Sequence, residues 1–240
     1  MEPLSIEMTT VGEIVTADFR TAQVFAARGI DFCCGGNMPL ATVCAQKGID
    51  PAQIIRELEA VQSEPGEQSL NFASWPLSFL ADYIVNTHHA YLRENDDQIA
   101  AYARKIAAVH GANHPEVIKI AALFEKIAAD MTVHLKEEEE VFFPALKRAE
   151  SARTSGHQPD AIDQETMRSA LARLYREHEE IGETVHAIRH LAHDFAIPAD
   201  ACSTFTLTYQ KLKEFENDLH KHVHLENNIL FPKATALFSS

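Results

Sequence analysis

Two segments of this 240-residue chain repeat one arrangement of chemically capable residues. His134-Leu-Lys-Glu-Glu138 runs on to Phe142-Phe143-Pro144, and His222-Val-His-Leu-Glu226 runs on to Leu230-Phe231-Pro232. On an α-helix, residues i and i+4 lie about 6 Å apart on one face, so each copy aims an imidazole and a carboxylate at the same point. Together these ligand types suit iron, manganese or zinc. A single His-x-x-x-Glu is most often a solvated or capping pair. Two copies with matching Phe-Pro endings imply a two-fold metal site. Pro144 and Pro232 each remove a backbone N–H and should bend their helices just beyond it.

Four long helices must position these residues, roughly 76–109, 115–149, 161–194 and 199–236. His114-Pro115, the stretch from Thr154 through Gly156 to Pro159, and Ile197-Pro198 mark the turns between them. No stretch alternates like a strand, and the class is all-α. Ahead of the long helices, residues 1–62 read as a small helical domain. Thr10 to Ala17, Ala22 to Arg28 and Leu40 to Lys47 are short helices, the second closed by Gly29. Asp50-Pro51 opens a fourth helix, to about Val61. Residues 63–75 read as a linker, with Ser74 capping the first long helix, and 76–240 as the bundle.

In an up-down bundle, residues at one height are symmetric about the turn joining their helices. The midpoint of His134 and His222 is position 178, a histidine on the apolar stripe with Leu174, Ile181 and Val185. Pairing His178 with His222 centres on 200, and pairing His134 with His178 centres on Gly156; both are turns. The first helix should then offer a ligand near 89, so that its midpoint with 134 falls by Gly111-Ala112. Position 89 is also a histidine. The candidate metal set is therefore His89, His134, Glu138, His178, His222 and Glu226. Four imidazoles and two carboxylates are what a non-haem di-iron centre uses, the carboxylates bridging the metals.

Other candidates rank lower. His88 points about 100° away from His89, and His220 and His224 flank His222 off its face. His186, His190 and His193 read as a solvated row, and Glu137, Glu139 and Glu140 as exposed charge. Asp130 and Glu177 stand where they could orient ligands or relay protons. The segment Asp31-Phe-Cys-Cys-Gly-Gly36 offers a thiol pair, with the glycines supplying backbone angles other residues resist. Cys33 and Cys34 could serve redox or nitrosylation chemistry, hand over iron, or simply be small residues before a turn. Cys44 and Cys202 read as core residues.

Composition excludes several functions. Twenty-one Lys and Arg against 35 Asp and Glu give a formal charge of −14, which disfavours nucleic acid and anionic membrane surfaces. No apolar run is long enough to span a bilayer, and Met1-Glu2-Pro3-Leu4 lacks a signal peptide's basic start, so a cytoplasmic location is expected.

With these motifs in view, the bundle resembles the hemerythrin-like domain. The Cys-Cys-Gly-Gly unit ahead of it and the Leu225-Glu-Asn-Asn-Ile-Leu-Phe-Pro232 ending make the whole chain similar to the iron–sulfur cluster repair di-iron proteins (the RIC family). The resemblance implies a hemerythrin-like up-down four-helix bundle behind a small N-terminal helical domain. Its ligand pattern falls on the six residues above, with His89 preferred to His88. It implies two iron ions per chain, oxo-bridged and carboxylate-bridged, and a stress protein that restores clusters damaged by nitric oxide or oxidants by donating iron. Nitric oxide reduction, or the binding or sensing of O2 or NO, is the alternative. Expected partners are damaged iron–sulfur proteins, NO or O2, and a second copy in a homodimer.

Overall fold

The computed structural model describes residues 8–63 and 70–238. Positions 1–7, and residues 64–69 of the linker expected at 63–75, lie outside the described residues. Every regular element among them is helical; the extended contacts reduce to one isolated bridge, Thr10 to Pro39. No helix among them is long and apolar enough to cross a membrane. The chain forms two compact units: one takes the chain up to Leu80 together with the segment from His220 onward, and the other is Ala81–Leu219.

The first unit contains α1 (Val11–Ala17), α2 (Ala22–Ala27), α3 (Leu40–Lys47) and α4 (Pro51–Ser63). Thr10 and Glu13 form a reciprocal capping box at the start of α1, satisfying two helix-end donors at once. Asp50 accepts the Ala52 N–H at 3.0 Å, the cap that Asp50-Pro51 promised. Ser74 behaves otherwise than expected. It ends a 3-10 turn, Phe72–Ser74, and its hydroxyl donates back to the Asn71 carbonyl.

The short helices pack on the last segment of the chain, within the same unit. Phe32 meets the rings of His220 and His224, Lys221 Nζ lies over Phe19 and Phe72, and Lys233 Nζ donates to the Trp75 carbonyl at 2.6 Å. His224, expected to point off its helix face, is thus buried, and burial lowers its imidazole pKa to about 4.

The second unit is a four-helix bundle made of α6 (Ala90–His110), α7 (Pro115–Glu137) with α8 (Phe143–Thr154), α9 (Ala161–Leu191) and the part of α10 (Ser203–Leu225) up to Leu219. Ile120, Phe124, Ile127 and Met131 repeat at three- and four-residue steps on α7; Leu171, Leu174, Ile181, Val185 and Ile188 do so on α9, with the buried His178 filling the step between Leu174 and Ile181. Such spacing gives each helix one apolar stripe, whose burial drives the bundle together. Phe124 of α7 meets Phe215 of α10 edge to face at 5.0 Å. The turn before α10 carries His193, Asp194 and Phe195 in the left-handed region, where Arg189 ion-pairs with Asp194 and lies over the Phe195 ring.

The long helices are not continuous α-helix. A five-residue π-helical turn, Val85–His89, joins α5 (Leu77–Ile84) to α6; another, Glu138–Phe142, joins α7 to α8; a third, Glu226–Leu230, joins α10 to α11 (Phe231–Ala236). The last two explain the prolines. Pro144 and Pro232 lack the N–H for an ordinary helix bond, and their rings would strike the carbonyl four residues back. In each case the residue before the proline reaches back five instead, Phe143 N–H to the Glu138 carbonyl and Phe231 N–H to the Glu226 carbonyl. The bend expected beyond the site is a widened turn that begins at the glutamate itself.

Candidate metal centre

Glu138 is completely buried, and neither of its carboxylate oxygens has a hydrogen-bond partner. Such a group costs several kcal/mol if left ionised and unpaired. Its neighbours are imidazoles: His89 Nε2 lies 3.3 Å from one oxygen and His134 Nε2 3.5 Å from the other. His178 Nε2 is 3.1 Å from His134 Nε2. His134, Glu138 and His178 bring one ligand atom each within 4.8 Å of one another. All four residues belong to the bundle unit and come from three helices.

The far side of two rings fixes what faces inward. His89 Nδ1 lies 2.7 Å from Glu139 Oε1, and His134 Nδ1 lies 2.8 Å from Glu177 Oε2. With Nδ1 donating to a carboxylate, Nε2 presents its lone pair to Glu138. Lone pairs and a carboxylate converging in a dry pocket repel one another unless a cation lies among them, and a carboxylate behind the imidazole is the usual backing of a metal-bound histidine. The donor set therefore fits a hard-to-borderline cation such as iron.

His222 and Glu226 are likewise fully buried, with Nε2 and Oε2 3.2 Å apart, on the chain segment that packs with the N-terminal helices. The turn that starts at Glu226 continues into Asn227 and Asn228. Asn228 Nδ2 donates to the Cys33 carbonyl at 3.1 Å, and Asn227 Nδ2 reaches the same oxygen at 3.5 Å. Asp31 Oδ1 accepts the Cys33 and Cys34 N–H groups at 2.9 and 3.0 Å and the Cys33 thiol at 3.2 Å. Asp31, Cys33 and Cys34 together bring three ligand atoms within 4.8 Å. The hydrogen bond with Cys34, then burial, raise the Cys33 pKa well above the usual thiol value.

The glycines here serve space rather than unusual backbone angles, for neither Gly35 nor Gly36 has a positive φ. A Cβ on Gly36 would stand 2.5 Å from both the Phe32 carbonyl and Asn228 Oδ1, and one on Gly12 would stand 2.2 Å from that same Asn228 oxygen. Two side-chain-free positions, Gly12 and Gly36, thus let the Cys-Cys turn, α1 and the end of the last long helix meet.

Several expectations need correcting. Asp130 does not back a ligand: about half exposed, its carboxylate lies 2.8 Å from Lys126 Nζ. Glu177 does so, through His134 rather than through its neighbour His178. Glu139, read as exposed charge, is the group that holds His89 and also ion-pairs with Arg93. Glu137 pairs with Arg173. His88 is buried, with Nδ1 2.9 Å from Asp218 Oδ1. Cys202, read as core, is exposed. Sequence spacing missed Glu139 and Asn228, although they stand one and two residues after their motif glutamates and so sit inside the turns that the prolines widen.

Comparison with known proteins adds an independent line. Residues 80–234 match the Hemerythrin HHE cation binding domain, and residues 7–62 match ScdA_N, a domain of unknown function (DUF542). The chain is 33% identical to the iron-sulfur cluster repair protein ScdA of Staphylococcus haemolyticus, covering 93% of this chain and 96% of that protein. It is 31% identical to the protein of the same name from Staphylococcus epidermidis, covering 94% and 97%. The iron-sulfur cluster repair protein YtfE of Yersinia pestis is 29% identical over 94% of this chain and 96% of that protein.

Proposed function

The chain belongs to the family of hemerythrin-domain iron–sulfur cluster repair proteins, and on that premise we propose that it restores damaged iron–sulfur clusters by supplying iron. In this reading His89, His134, Glu138, His178, His222 and Glu226 hold two iron ions, with Glu138 and Glu226 as the shared carboxylates. Bound iron supplies the labile, redox-active cargo of the reaction. Glu139 and Glu177 keep His89 and His134 in the tautomer that presents Nε2, and the complete burial of Glu138 excludes water. Cys33 and Cys34 enter the proposal as its thiol pair, the hydrogen bond with Cys34 and burial keeping the Cys33 thiol protonated until a metal displaces its proton.

The single observation that carries the reading is Glu138, buried among imidazole nitrogens with no hydrogen bond to either oxygen. Support for two copies comes from the repeated motif and from the turn midpoints at 112, 156 and 200. The test is to add anaerobically purified protein, its iron counted, to an iron–sulfur enzyme inactivated by a nitric oxide donor. About two irons per chain, and enzyme recovery matched by iron loss from the donor, are expected. An enzyme that stays inactive beside a protein that keeps its metal would sink the proposal.

A further inference from the structure

The four cysteines occupy unlike environments, and the one expected to be inert is the one whose surroundings favour a thiolate. Cys33 is buried and donates to Asp31, and Cys34 sits beside it with the sulfurs 4.0 Å apart. Cys44 is buried in α3, where burial raises its pKa. Cys202 is exposed and immediately precedes Ser203, the first residue of the 23-residue α10.

Two structures converge on its sulfur. The N–H groups of Phe205 and Thr204, in the first turn of α10, point at it, where helix-end donors and the helix dipole favour an anion. From the end of α6, His110 Nε2 comes within 3.2 Å of the sulfur. That ring is braced edge-on by Phe205, at 5.3 Å and 88°. Beyond it stands His114, whose Nε2 and Nδ1 pair with Asp200 at 3.1 Å and Glu116 at 3.0 Å. The Phe205 N–H first, then His110, lower the Cys202 pKa to about 7. This Cys–His pair lies wholly within the bundle unit, at the opposite end of α10 from His222.

We propose that Cys202 is a thiolation site, at which its sulfur exchanges with a soluble low-molecular-weight disulfide such as oxidised glutathione. The Cys202 thiolate attacks one sulfur of the disulfide, a new S–S bond forms, and the old one breaks. The departing thiolate takes its proton from solvent. The incoming disulfide is the only oxidant, and His110 acts as a positioning residue that holds the attacking sulfur as an anion. An exposed thiol that titrates near ambient pH combines thiolate population with retained nucleophilicity, the best compromise for such exchange.

The test uses the intact iron-loaded chain incubated with oxidised glutathione near neutral pH, with each cysteine's adduct followed over time by peptide mass spectrometry. Cys202 should be thiolated about five- to tenfold faster than any other cysteine, as expected from its larger thiolate fraction discounted for lower basicity. His110→Gln should slow Cys202 by about threefold and leave the other three unchanged. It should also shift the titration of the 240 nm thiolate absorbance that Cys202→Ser removes. Because the wild-type ranking of four thiols needs no variant, a misfolded His110→Gln would not shield the idea. Modification of Cys33 or Cys34 first would overturn it, and so would a well-folded His110→Gln with unchanged rate and titration. Iron content is expected to stay constant throughout, so the outcome is independent of the repair assignment.

Discussion

The two copies of His-x-x-x-Glu are alike up to the glutamate and diverge one residue later. In both, the proline six residues after the glutamate is preceded by a π-helical turn whose first residue is that glutamate. In the first copy the residue that follows is Glu139, which backs His89. In the second the following residues are Asn227 and Asn228, which hold the carbonyl of the Cys-Cys turn. The difference teaches that the proline-widened turn is a reusable backbone device. It buries the glutamate and leaves the next two side chains to serve as local clamps, anionic where an imidazole must be oriented and amide where a peptide carbonyl must be held.

The largest effect should come from removing what the copies share. Glu138→Leu should lose most of the iron measured by metal analysis. The same change should stabilise the metal-free protein by about 1–4 kcal/mol, because an unpaired buried carboxylate gives way to an apolar side chain of similar size. Opposite signs for metal content and metal-free melting temperature separate a ligand from a structural residue; a fall in both would break the comparison at its root.

Next is Gly36→Ala, which crowds the clamp of the second copy only. It should cost about 1–3 kcal/mol in denaturant unfolding. A neutral result would mean that Asn228 and the Cys-Cys turn can part freely.

Exchanging the clamps' roles sharpens the contrast further. Glu139→Gln should weaken iron binding by about tenfold in chelator competition without changing alkylation of Cys33 and Cys34. Asn228→Ala should speed that alkylation by a few-fold while iron affinity holds. If both variants altered both readouts equally, the two clamps would not be separate devices.

The smallest effect concerns the setting of the first copy alone. Glu139 shares the wall of a cavity of about 380 Å³ with Arg93, Asp96 and Lys136. Burial, then the neighbouring Asp97, raise the Asp96 pKa to about 7. A carboxyl whose folded pKa is raised is favourable only while protonated, so its contribution falls as pH climbs from about 4 to 7. Asp96→Asn should therefore raise stability at pH 8 by about 1 kcal/mol after discounting for partial exposure, and not at pH 4. Equal gains at both values would remove the titration argument.

Much of this was readable from residue order because the signals are local. Helix positions follow from apolar spacing, and helix starts from Asp50-Pro51 or Thr10 with Glu13. His134 and Glu138 share a face by helical pitch, and turn midpoints bring His89 and His178 to the same height as His134. The geometry of the bundle unit agrees, with His89, His134 and Glu138 in contact range and His178 against His134. What failed was the assignment of charged and polar side chains between helices. Asp130 and Glu139 are both acidic neighbours of the motif, and nothing in the one-dimensional pattern says which reaches an imidazole and which reaches Lys126.

Sequence alone therefore determined the helices, the motif pair and its likeness to a known family, since periodicity, proline chemistry and short-range spacing act within a few residues of chain. Tertiary structure alone decided that Glu138 has no hydrogen bond, that Glu139 and Glu177 back the histidines, that Gly36 is needed for space, and that Cys202 rather than Cys33 faces a histidine. Each of these depends on groups distant in the chain meeting in a medium where burial and a single hydrogen bond outweigh local preference.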